Sequence, residues 1–196
     1  MRIISGKYKG RRISPPRNLP VRPTTDMSKE ALFNVLNNHY NFSELKVLDL
    51  FAGTGNISFE FASRGSDNIT SVDQDFGCVK FIKQIASEYD FNIAAIKSDV
   101  FKYLERCNTS YDMIFADPPY GLDQATFEKV VIAIFEKQLL NQEGMMVIEH
   151  SKYTKLDHLP NFSFKKSYGG SIFTFFEFGN SENRDDEEVE DNSEEE

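Results

Sequence analysis

The sequence of 196 residues contains no tryptophan, only two cysteines and no long hydrophobic run. A helix that crosses a bilayer needs about 20 consecutive apolar residues, and residues 1–12 are polar and basic, unlike the apolar core of a signal peptide. Cys78 and Cys107 form no CxxC pair and have no histidine near them in sequence, which argues against a disulfide scaffold and a structural zinc site. We therefore expect a soluble cytoplasmic protein with no metal and no membrane contact. Both thiols should be reduced and half-buried, and a monomer is the simplest state.

Acidic residues are absent from the first 25 positions, and this absence changes what the net charge of −9 implies. Residues 181–196 hold ten acidic residues and one arginine, which accounts for the whole net charge. The acid-free segment carries seven basic residues: Arg2, Lys7, Lys9, Arg11, Arg12, Arg17 and Arg22. A basic segment attached to a neutral body favours a nucleic-acid partner, although exposed lysines and arginines are also common on ordinary surfaces.

Composition divides the chain into a basic arm (residues 1–25), a body (residues 26–179) and an acidic tail (residues 180–196). The tail has too few apolar residues to offset the entropy of ordering it, so we expect it to be disordered. The length of the body predicts a single domain with its own hydrophobic core.

The arm is expected to form a β-hairpin from residues 2–5 and 9–13, linked through Gly6. Regular structure should end at the prolines that follow: Pro15, Pro16, Pro20 and Pro23. Thr25 or Asp26 is then expected to cap a helix. Its apolar residues fall on one face at helical spacing: Ala31, Leu32, Val35 and Leu36.

From residue 46 onward, short apolar strands alternate with amphipathic helices, the pattern of a parallel, doubly wound sheet. The expected strands are residues 46–50, 68–73, 93–97, 111–116 and 145–150. The expected helices are residues 57–64, 76–89, 100–106 and 126–137. Residues 162–167 and 171–178 are aromatic-rich and flank Gly169 and Gly170, which predicts an antiparallel hairpin. The fold is therefore expected to be α/β, with a mostly parallel seven-stranded sheet, a reversed terminal strand and helices on both faces.

Two glycines, Gly53 and Gly55, separate the first strand from a helix. Glycines at such a turn let a ligand approach the backbone, and the helix N-terminus adds N–H donors. Asp73 ends the next strand, 20 residues beyond Gly53, the usual offset of an acid that binds ribose hydroxyls. Ser58 stands where the dinucleotide fingerprint has its third glycine, which counts against NAD. Asp49 favours an amine-bearing ligand, and S-adenosylmethionine fits; the alternative is a tight turn with solvated acids.

Asp99 follows the third strand and can accept a hydrogen bond from an adenine amino group, while the backbone of Val100 can contact the ring. Asp99 is also suited to cap the helix that begins there. The two roles can coexist.

A second motif, Asp117-Pro118-Pro119-Tyr120, follows the fourth strand. The two prolines restrict the backbone and remove N–H donors, so the loop presents the Asp117 carboxylate and the Pro118 carbonyl as acceptors. Tyr120 adds a flat face on which a base can stack. This arrangement suits the exocyclic amine of a planar base and requires no metal. The alternative is a Pro-Pro-Tyr segment that ends a strand and has no chemistry.

These segments resemble a known family. The sequences DLFAGTGNIS (residues 49–58) and DPPY (residues 117–120) resemble class I S-adenosylmethionine-dependent methyltransferases that act on exocyclic amines. The DPPY sequence is shared with DNA adenine and cytosine amino-methyltransferases. The combination of MRIISGKYKGRRI, RPTTDMSKEALFNVL, VLDLFAGTG, VDQD and FADPPY resembles the RsmD family, bacterial 16S rRNA guanine-N2 methyltransferases, up to about residue 178.

The resemblance implies a Rossmann-like class I methyltransferase fold, with S-adenosylmethionine as cofactor and a guanine of 16S rRNA in the small ribosomal subunit as target. The cofactor-binding residues are then Asp49, Phe51, Gly53, Gly55, Asp73, Asp99 and Val100. The catalytic residues are Asp117, Pro118 and Tyr120. The residues expected to contact RNA phosphates are Lys7, Lys9, Arg11, Arg12, Arg17 and Arg22.

Two other functions stay open at this point. One is a DNA or other RNA amino-methyltransferase of the adenine N6 type that uses the same loop. Such an enzyme normally requires a separate target-recognition region, for which the body is too short. The other is a ribosome-assembly binding module that keeps the fold without turnover.

Overall fold

Seven strands form the centre of the fold in a computed structural model, which describes residues 1–17, 19, 25–119, 121–168 and 170–179. The strands are β1 (Lys46–Leu50), β2 (Asn68–Asp73), β3 (Ile93–Lys97), β4 (Tyr111–Ala116), β5 (Leu140–Ser151), β6 (Phe162–Tyr168) and β7 (Ser171–Glu177). Their order in the sheet is β3-β2-β1-β4-β5-β7-β6. The first five strands are parallel, and β7 lies antiparallel between β5 and β6. This confirms the mixed sheet with a reversed terminal strand.

The strand bounds agree with the sequence prediction for β1 to β4. Strand β5 differs because it begins at Leu140, five residues before the predicted start. Leu140 pairs with Tyr111, and the register then shifts before Met145 pairs with Met113. The polar residues between Leu140 and Met145 interrupt the hydrophobic pattern, so this first part of the strand could not be predicted from the sequence.

Helices cover both faces of the sheet, as predicted. They are α1 (Asp26–Asn37), α2 (Asn56–Ser63), α3 (Phe76–Tyr89), α4 (Val100–Arg106) and α5 (Gln124–Glu136), with a short 3-10 helix at Phe42–Glu44. Helices α4 and α5 pack on one face of the sheet, while α1, α2 and α3 pack on the other. Side-chain oxygens cap four of the helices by accepting from a backbone N–H in the first turn: Thr25, Asp75, Asp99 and Asp123. The cap of α1 is Thr25 rather than Asp26.

The arm reverses direction as predicted, but it does not form two regular strands. Its ends are joined by a single antiparallel bridge between Arg2 and Arg12. The Ile3 N–H donates to Arg11 O at 2.9 Å, and the Ile13 N–H donates to Met1 O at 3.0 Å. The predicted strand at residues 2–5 is wrong as a regular strand because the backbone amides of Ile4 and Ser5 bind the body instead of a strand partner.

Glu60 on α2 is the acceptor of those amides. Its side chain is fully buried, and it accepts from Ile4 N at 2.8 Å and from Ser5 N at 3.0 Å. The same carboxylate pairs with Lys29 of α1 at 3.3 Å and with Arg64 at 2.9 Å. A buried carboxylate is tolerated when it is paired and hydrogen-bonded in this way. Glu60 therefore fixes the arm, α1 and α2 relative to one another.

Close packing fixes the arm at two further points. Ile3 and Ile13 are buried in an apolar cluster with α3. Gly6 has φ +82°, and a Cβ there would lie 1.8 Å from Ser63 O, so the position accepts only glycine. Tyr8 donates to Tyr89 O at 2.9 Å.

Several predicted features lie outside the described residues: Pro20, Arg22, Pro23, Tyr120, Gly169 and the tail at residues 180–196. Across the described ranges, no helix is both long and apolar enough to cross a membrane. Cys78 and Cys107 are free thiols, and both are buried rather than half-buried.

The buried ion pair gives a stability prediction. We expect Glu60→Gln to lower the free energy of unfolding by about 3–5 kcal/mol, because Lys29 then stays buried without its countercharge. The matched control is Asp157→Asn, which breaks the exposed Asp157–Lys165 pair and should cost less than about 1 kcal/mol. Urea unfolding of both variants measures the difference. Equal losses would contradict a structural role for the buried pair.

Candidate active site

A cavity of about 400 Å³ opens at the carboxyl ends of β1, β2 and β4. From β1 the chain continues outward through β2 and β3 on one side, whereas β4 and β5 lie on the other side. Ligands of open α/β sheets bind at such a switch point, outside the carboxyl ends of the strands. The register pairs Leu50 with Ala116, so the loops after β1 and β4 leave the sheet side by side.

The structure brings most of the predicted site residues to this cavity. Those that line it are Asp49, Phe51, Gly53, Asp73, Asp99, Val100, Asp117 and Pro118. Gly55 does not line it, and Tyr120 lies outside the described residues.

Gly55 is required for packing. It has φ +79° and precedes the first residue of α2. A Cβ there would lie 2.9 Å from Ile82 Cγ1 and 2.9 Å from Phe59 Cζ. The absent side chain makes room for α3 and for the ring of Phe59, and the expectation that Gly55 binds a cofactor stays a prediction. Phe51, a cavity residue, also has a positive φ of 58°, an uncommon conformation for an aromatic residue.

Asp49 is a buried acid in the cavity wall. One carboxylate oxygen, Oδ2, accepts from both the backbone N–H and the hydroxyl of Ser58. The Ser58 hydroxyl lies 2.7 Å from that of Ser71, which extends the network to β2. Burial raises the pKa of Asp49 to about 7, against the lowering effect of the Ser58 hydrogen bonds. A cation in the cavity would favour the ionised form of Asp49.

Asp73 organises the rim of the cavity with both oxygens. Its Oδ2 accepts from the Gly53 N–H at 2.8 Å, and its Oδ1 accepts from the Asp75 N–H at 2.8 Å. A carboxylate oxygen has two lone pairs, so each oxygen can still accept from one hydroxyl. The arrangement holds the first glycine loop in place and presents acceptors to a vicinal diol.

Asp99 combines the two roles considered from the sequence. It caps α4 by accepting from the Lys102 N–H at 3.0 Å, and it lines the cavity. Val100, the first residue of α4, is buried beside it. The capped helix start therefore holds both residues against the cavity.

The loop after β4 forms the remaining wall. The Asp117 N–H donates to Leu50 O at 3.3 Å, which ties the first residue of the loop to β1. Pro118 is buried, and the Leu122 N–H donates to Pro119 O at 3.0 Å. The loop ends at Asp123, the cap of α5. The loop that carries the acceptor groups of Asp117 and Pro118 is thus anchored at both of its ends.

Several cavity residues were missed from the sequence, among them Thr54, Asn56, Gln74, Asp75, Cys78, Phe101 and Leu122. Burial raises the pKa of Cys78 to about 12, so this thiol stays protonated and is no nucleophile. The side chain of Asn56 is oriented by Lys29, whose ammonium donates to Asn56 Oδ1 at 2.8 Å. Lys29 could have been found, because it shares a helical face with Leu32, Phe33 and Leu36, and a lysine on an apolar face needs a buried partner.

The arm also reaches the rim of the cavity, which the sequence did not predict. The Thr54 hydroxyl lies 3.9 Å from the Met1 sulfur. A Cβ on Gly77 of α3 would lie 2.7 Å from Leu19 Cδ2, so Leu19 contacts the start of α3. The exposed side chains of Lys7, Lys9, Arg11, Arg12 and Arg17 extend from this docked arm. Among the ion pairs of the described part of the chain, none involves these five residues.

The three histidines do not line this cavity. His150 is buried, with Nε2 2.7 Å from Thr174 Oγ1 and Nδ1 2.9 Å from Ser151 O, and burial lowers its pKa. His158 forms an exposed pair with Glu128. Within the described ranges, no group of three or more histidines, cysteines and acids is arranged to hold a metal ion.

The sheet order, the reversed β7 and the cavity at the switch point define a Rossmann-like class I methyltransferase fold. A hypothetical protein from Thermus thermophilus matches this structure with a TM-score of 0.78 and 26% identity, over 90% of this chain and 99% of that chain. The 16S rRNA N2 G1207 methyltransferase RsmC of T. thermophilus, solved with AdoMet and guanosine, matches with a TM-score of 0.64 and 20% identity. That match covers 81% of this chain and 45% of that chain, and it supports the fold alone.

Sequence comparisons identify the family. The family model described as Conserved hypothetical protein 95 matches residues 1–177. Ribosomal RNA small subunit methyltransferase D of Buchnera aphidicola (Baizongia pistaciae) is 32% identical, over 82% of this chain and 82% of that protein. The protein of the same name from Escherichia coli K12 is 28% identical, over 82% and 79%. The chain belongs to the RsmD family of S-adenosylmethionine-dependent rRNA methyltransferases.

Asp49 gives a pH prediction. Because its pKa is about 7, binding an ammonium group requires Asp49 to lose its proton below that pH. We expect the affinity for S-adenosylmethionine to fall up to about tenfold per pH unit below pH 7 and to release a proton on binding.

Calorimetry between about pH 5 and pH 7 measures both effects, below the range in which the ligand's own amine titrates. Asp49→Asn should bind weakly and without this pH dependence. Asp99 is a second acid of the same cavity. The Asp99→Asn variant should bind S-adenosylmethionine more weakly than the parent protein does, but its affinity should keep the same dependence on pH. An affinity of the parent protein that is constant over this range would contradict a role for Asp49 in binding the ammonium.

Proposed function

We propose that the protein transfers a methyl group from S-adenosylmethionine to the exocyclic N2 amine of a guanine in 16S rRNA of the small ribosomal subunit. The observation that carries the proposal is the shared cavity: the acids at the carboxyl ends of β1 and β2, the acid after β3 and the acceptors of the loop after β4 line the same space. The names of the relatives, small subunit methyltransferase D, support the ribosomal target. A ribosomal target would place the reaction in the cytoplasm.

The donor set and the size of the cavity fit the cofactor. Its volume of about 400 Å³ lies within the range of small-molecule sites. Asp49 would bind the ammonium, Asp73 the ribose hydroxyls, and Asp99 with Val100 the adenine. Asn56 adds a polar side chain to the same wall. Bound there, S-adenosylmethionine supplies an electrophilic methyl group on a positively charged sulfur.

The loop after β4 would hold the target amine. The Asp117 carboxylate and the Pro118 carbonyl would accept hydrogen bonds from the two N–H groups of the amine. These hydrogen bonds would turn the lone pair of the nitrogen toward the methyl carbon. Conjugation with the base delocalises that lone pair, and binding both hydrogens helps the nitrogen to rehybridise. The new C–N bond forms as the C–S bond breaks, and the amine proton leaves to Asp117 or to water. Tyr120, next in sequence, would stack on the base.

The arm would position the RNA. A guanine can enter the cavity only when it is unpaired and turned out of its stack, as in other enzymes that act on bases. The arm begins at the cavity rim, where the Thr54 hydroxyl lies 3.9 Å from the Met1 sulfur. We assign Lys7, Lys9, Arg11, Arg12 and Arg17 to phosphate contacts, together with Arg22 from the sequence pattern. The described part of the arm, residues 1–17 and 19, would therefore serve the body as a docked RNA-binding element.

Asp117 provides the test of catalysis. We expect Asp117→Asn to lower methyl transfer at least roughly 100-fold, because the negative charge that stabilises the positive charge developing on the amine is lost. Binding of S-adenosylmethionine should stay close to that of the parent. Asp67→Asn, which changes an exposed acid at the opposite edge of the sheet, is the control and should be fully active.

The assay uses labelled cofactor and small subunits from cells that lack the enzyme, followed by mapping of the modified base. Label on N2 of one guanine is the expected result. Label on an adenine or on DNA would point instead to an adenine-type amino-methyltransferase. An inactive parent that still binds the particle would indicate a binding module.

The arm gives a salt-dependence prediction. About five phosphate contacts predict a slope of log affinity against log salt near −3.5 for single-stranded RNA. The arm variant replaces three cations by glutamine: Lys9, Arg11 and Arg12. This variant should make the slope less steep by about 2. The matched control replaces three exposed cations of α4 and α5 on the opposite face of the sheet: Lys102, Arg106 and Lys129.

Filter binding over a range of salt concentrations measures both slopes. These substitutions are preferable to deletion of residues 1–17, which would also remove Ile3, Ile13 and the partners of Glu60 from the core. An unchanged slope in the arm variant, or the same change in both variants, would refute phosphate binding by the arm.

A further inference from the structure

The loop between β5 and β6 (residues 152–161) carries an exposed aromatic ring. Tyr153 is 82% exposed, the highest value for a large hydrophobic residue in the described part of the chain. The next residues of the loop return to the core, where Leu156 is 1% exposed. Tyr153 is therefore an exposed large aromatic side chain on a loop that is attached to the body through Leu156.

This loop leaves the sheet beside the proposed catalytic loop. Strand β5 runs parallel to β4, and Ile148 pairs with Ala116, the last residue of β4. Both strands therefore point to the same edge of the sheet, with Asp117 following one and Tyr153 following the other. Tyr153 lies on the β5 side of the loop that holds Asp117 and Pro118.

Hydrogen bonds hold the loop against the start of α5. The side-chain amide of Gln124, the first residue of α5, accepts from Lys155 N at 3.0 Å and donates to Lys155 O. The Thr154 N–H donates to Ser151 O at 3.2 Å. Leu122, two residues before Gln124, lines the cavity. The ring of Tyr153 is thus presented from a fixed backbone, which lowers the entropy cost of binding a partner.

The charged residues nearest to Tyr153 in the sequence of the loop are lysines. Lys152 Nζ lies 5.4 Å from the centre of the Tyr153 ring, and Lys155 is exposed nearby in sequence. The acid of the loop, Asp157, is paired with Lys165 at 2.6 Å. An exposed aromatic face next to exposed lysines matches the chemistry of single-stranded RNA, in which bases stack and phosphates need countercharges.

We propose that Tyr153 stacks on an unpaired nucleotide next to the target guanine, and that Lys152 contacts the adjoining phosphate. The inference rests on the proposed function, because a guanine that enters the cavity leaves its neighbour without a stacking partner. A flat ring at the same edge of the sheet replaces that partner. Stacking of this kind tolerates any base, so Tyr153 would contribute affinity and positioning rather than sequence specificity.

The test compares Tyr153→Leu with Tyr153→Phe, which keeps the ring. Tyr40→Leu is the control, because Tyr40 lies just before β1, at the opposite edge of the sheet. Two quantities are measured: the KM for small subunits from cells that lack the enzyme, and the Kd for a fluorescein-labelled single-stranded RNA rich in guanine. Thermal midpoints and the Kd for S-adenosylmethionine report on folding and on the cofactor site.

Tyr153→Leu should raise both the KM and the RNA Kd by roughly 5- to 100-fold, with kcat and cofactor affinity close to the parent. Tyr153→Phe and Tyr40→Leu should stay near the parent values. Lys152→Gln should make the salt slope for the labelled RNA less steep by about 0.7.

Three results separate the possibilities. If Tyr153→Leu leaves both the KM and the RNA Kd unchanged, the stacking role is refuted while the proposed function stands. If it raises the KM for subunits but not the Kd for RNA, the ring contacts a ribosomal protein and the inference is again overturned. If the parent methylates nothing but Tyr153→Leu still weakens RNA binding, the stacking role holds and the proposed function fails.

Discussion

The fold depends on one buried carboxylate. Glu60 binds two backbone amides of the arm, the ammonium of Lys29 and the guanidinium of Arg64. The arm therefore belongs to the folded body, although its sequence is that of a separate basic segment. Lys29 also donates to Asn56 in the cavity wall, which places the cation that anchors the arm one contact away from the proposed cofactor site. A ligand site and an RNA-binding surface can share a rigid support in this way without a separate domain.

The sequence predicted the body well because its periodicity is strong. Buried parallel strands appear as short apolar runs, and Asp99 is a recognisable helix start, whereas α5 begins at Gln124, two residues before its predicted start. Two kinds of detail were missed. The role of Gly55 depends on the side chains of Ile82 and Phe59, which are distant in sequence, and the first part of β5 depends on a pairing with β4. The arm lacks regular strands because its amides bind Glu60, and the hairpin pattern contains no sign of that competition.

In the candidate site too, some features could be predicted from the sequence and others could not. Each predicted acid lies at or just after a strand end, so its position along the chain could be predicted from local pattern alone. The spatial neighbours of each acid could not be predicted in this way, because only the strand order places Asp49 and Asp117 next to each other at one edge of the sheet. The environment of Asp49 is also a tertiary property: Ser58 on α2 and Ser71 on β2 form the network that surrounds it. A carboxylate in the sequence indicates a possible cation site, and burial determines its charge at neutral pH.

The position of β7 also affects how the protein is made. Strand β7 is the last to be synthesised, yet it pairs with β5 on one side and β6 on the other. Until residues 171–177 leave the ribosome, one long edge of β5 has no partner, and its apolar residues Met145 to Ile148 are not covered by Phe173, Phe175 and Phe176. Unpaired edges of this kind are prone to pair with other chains. Until β7 is made, the growing chain therefore exposes a strand edge that is prone to aggregation.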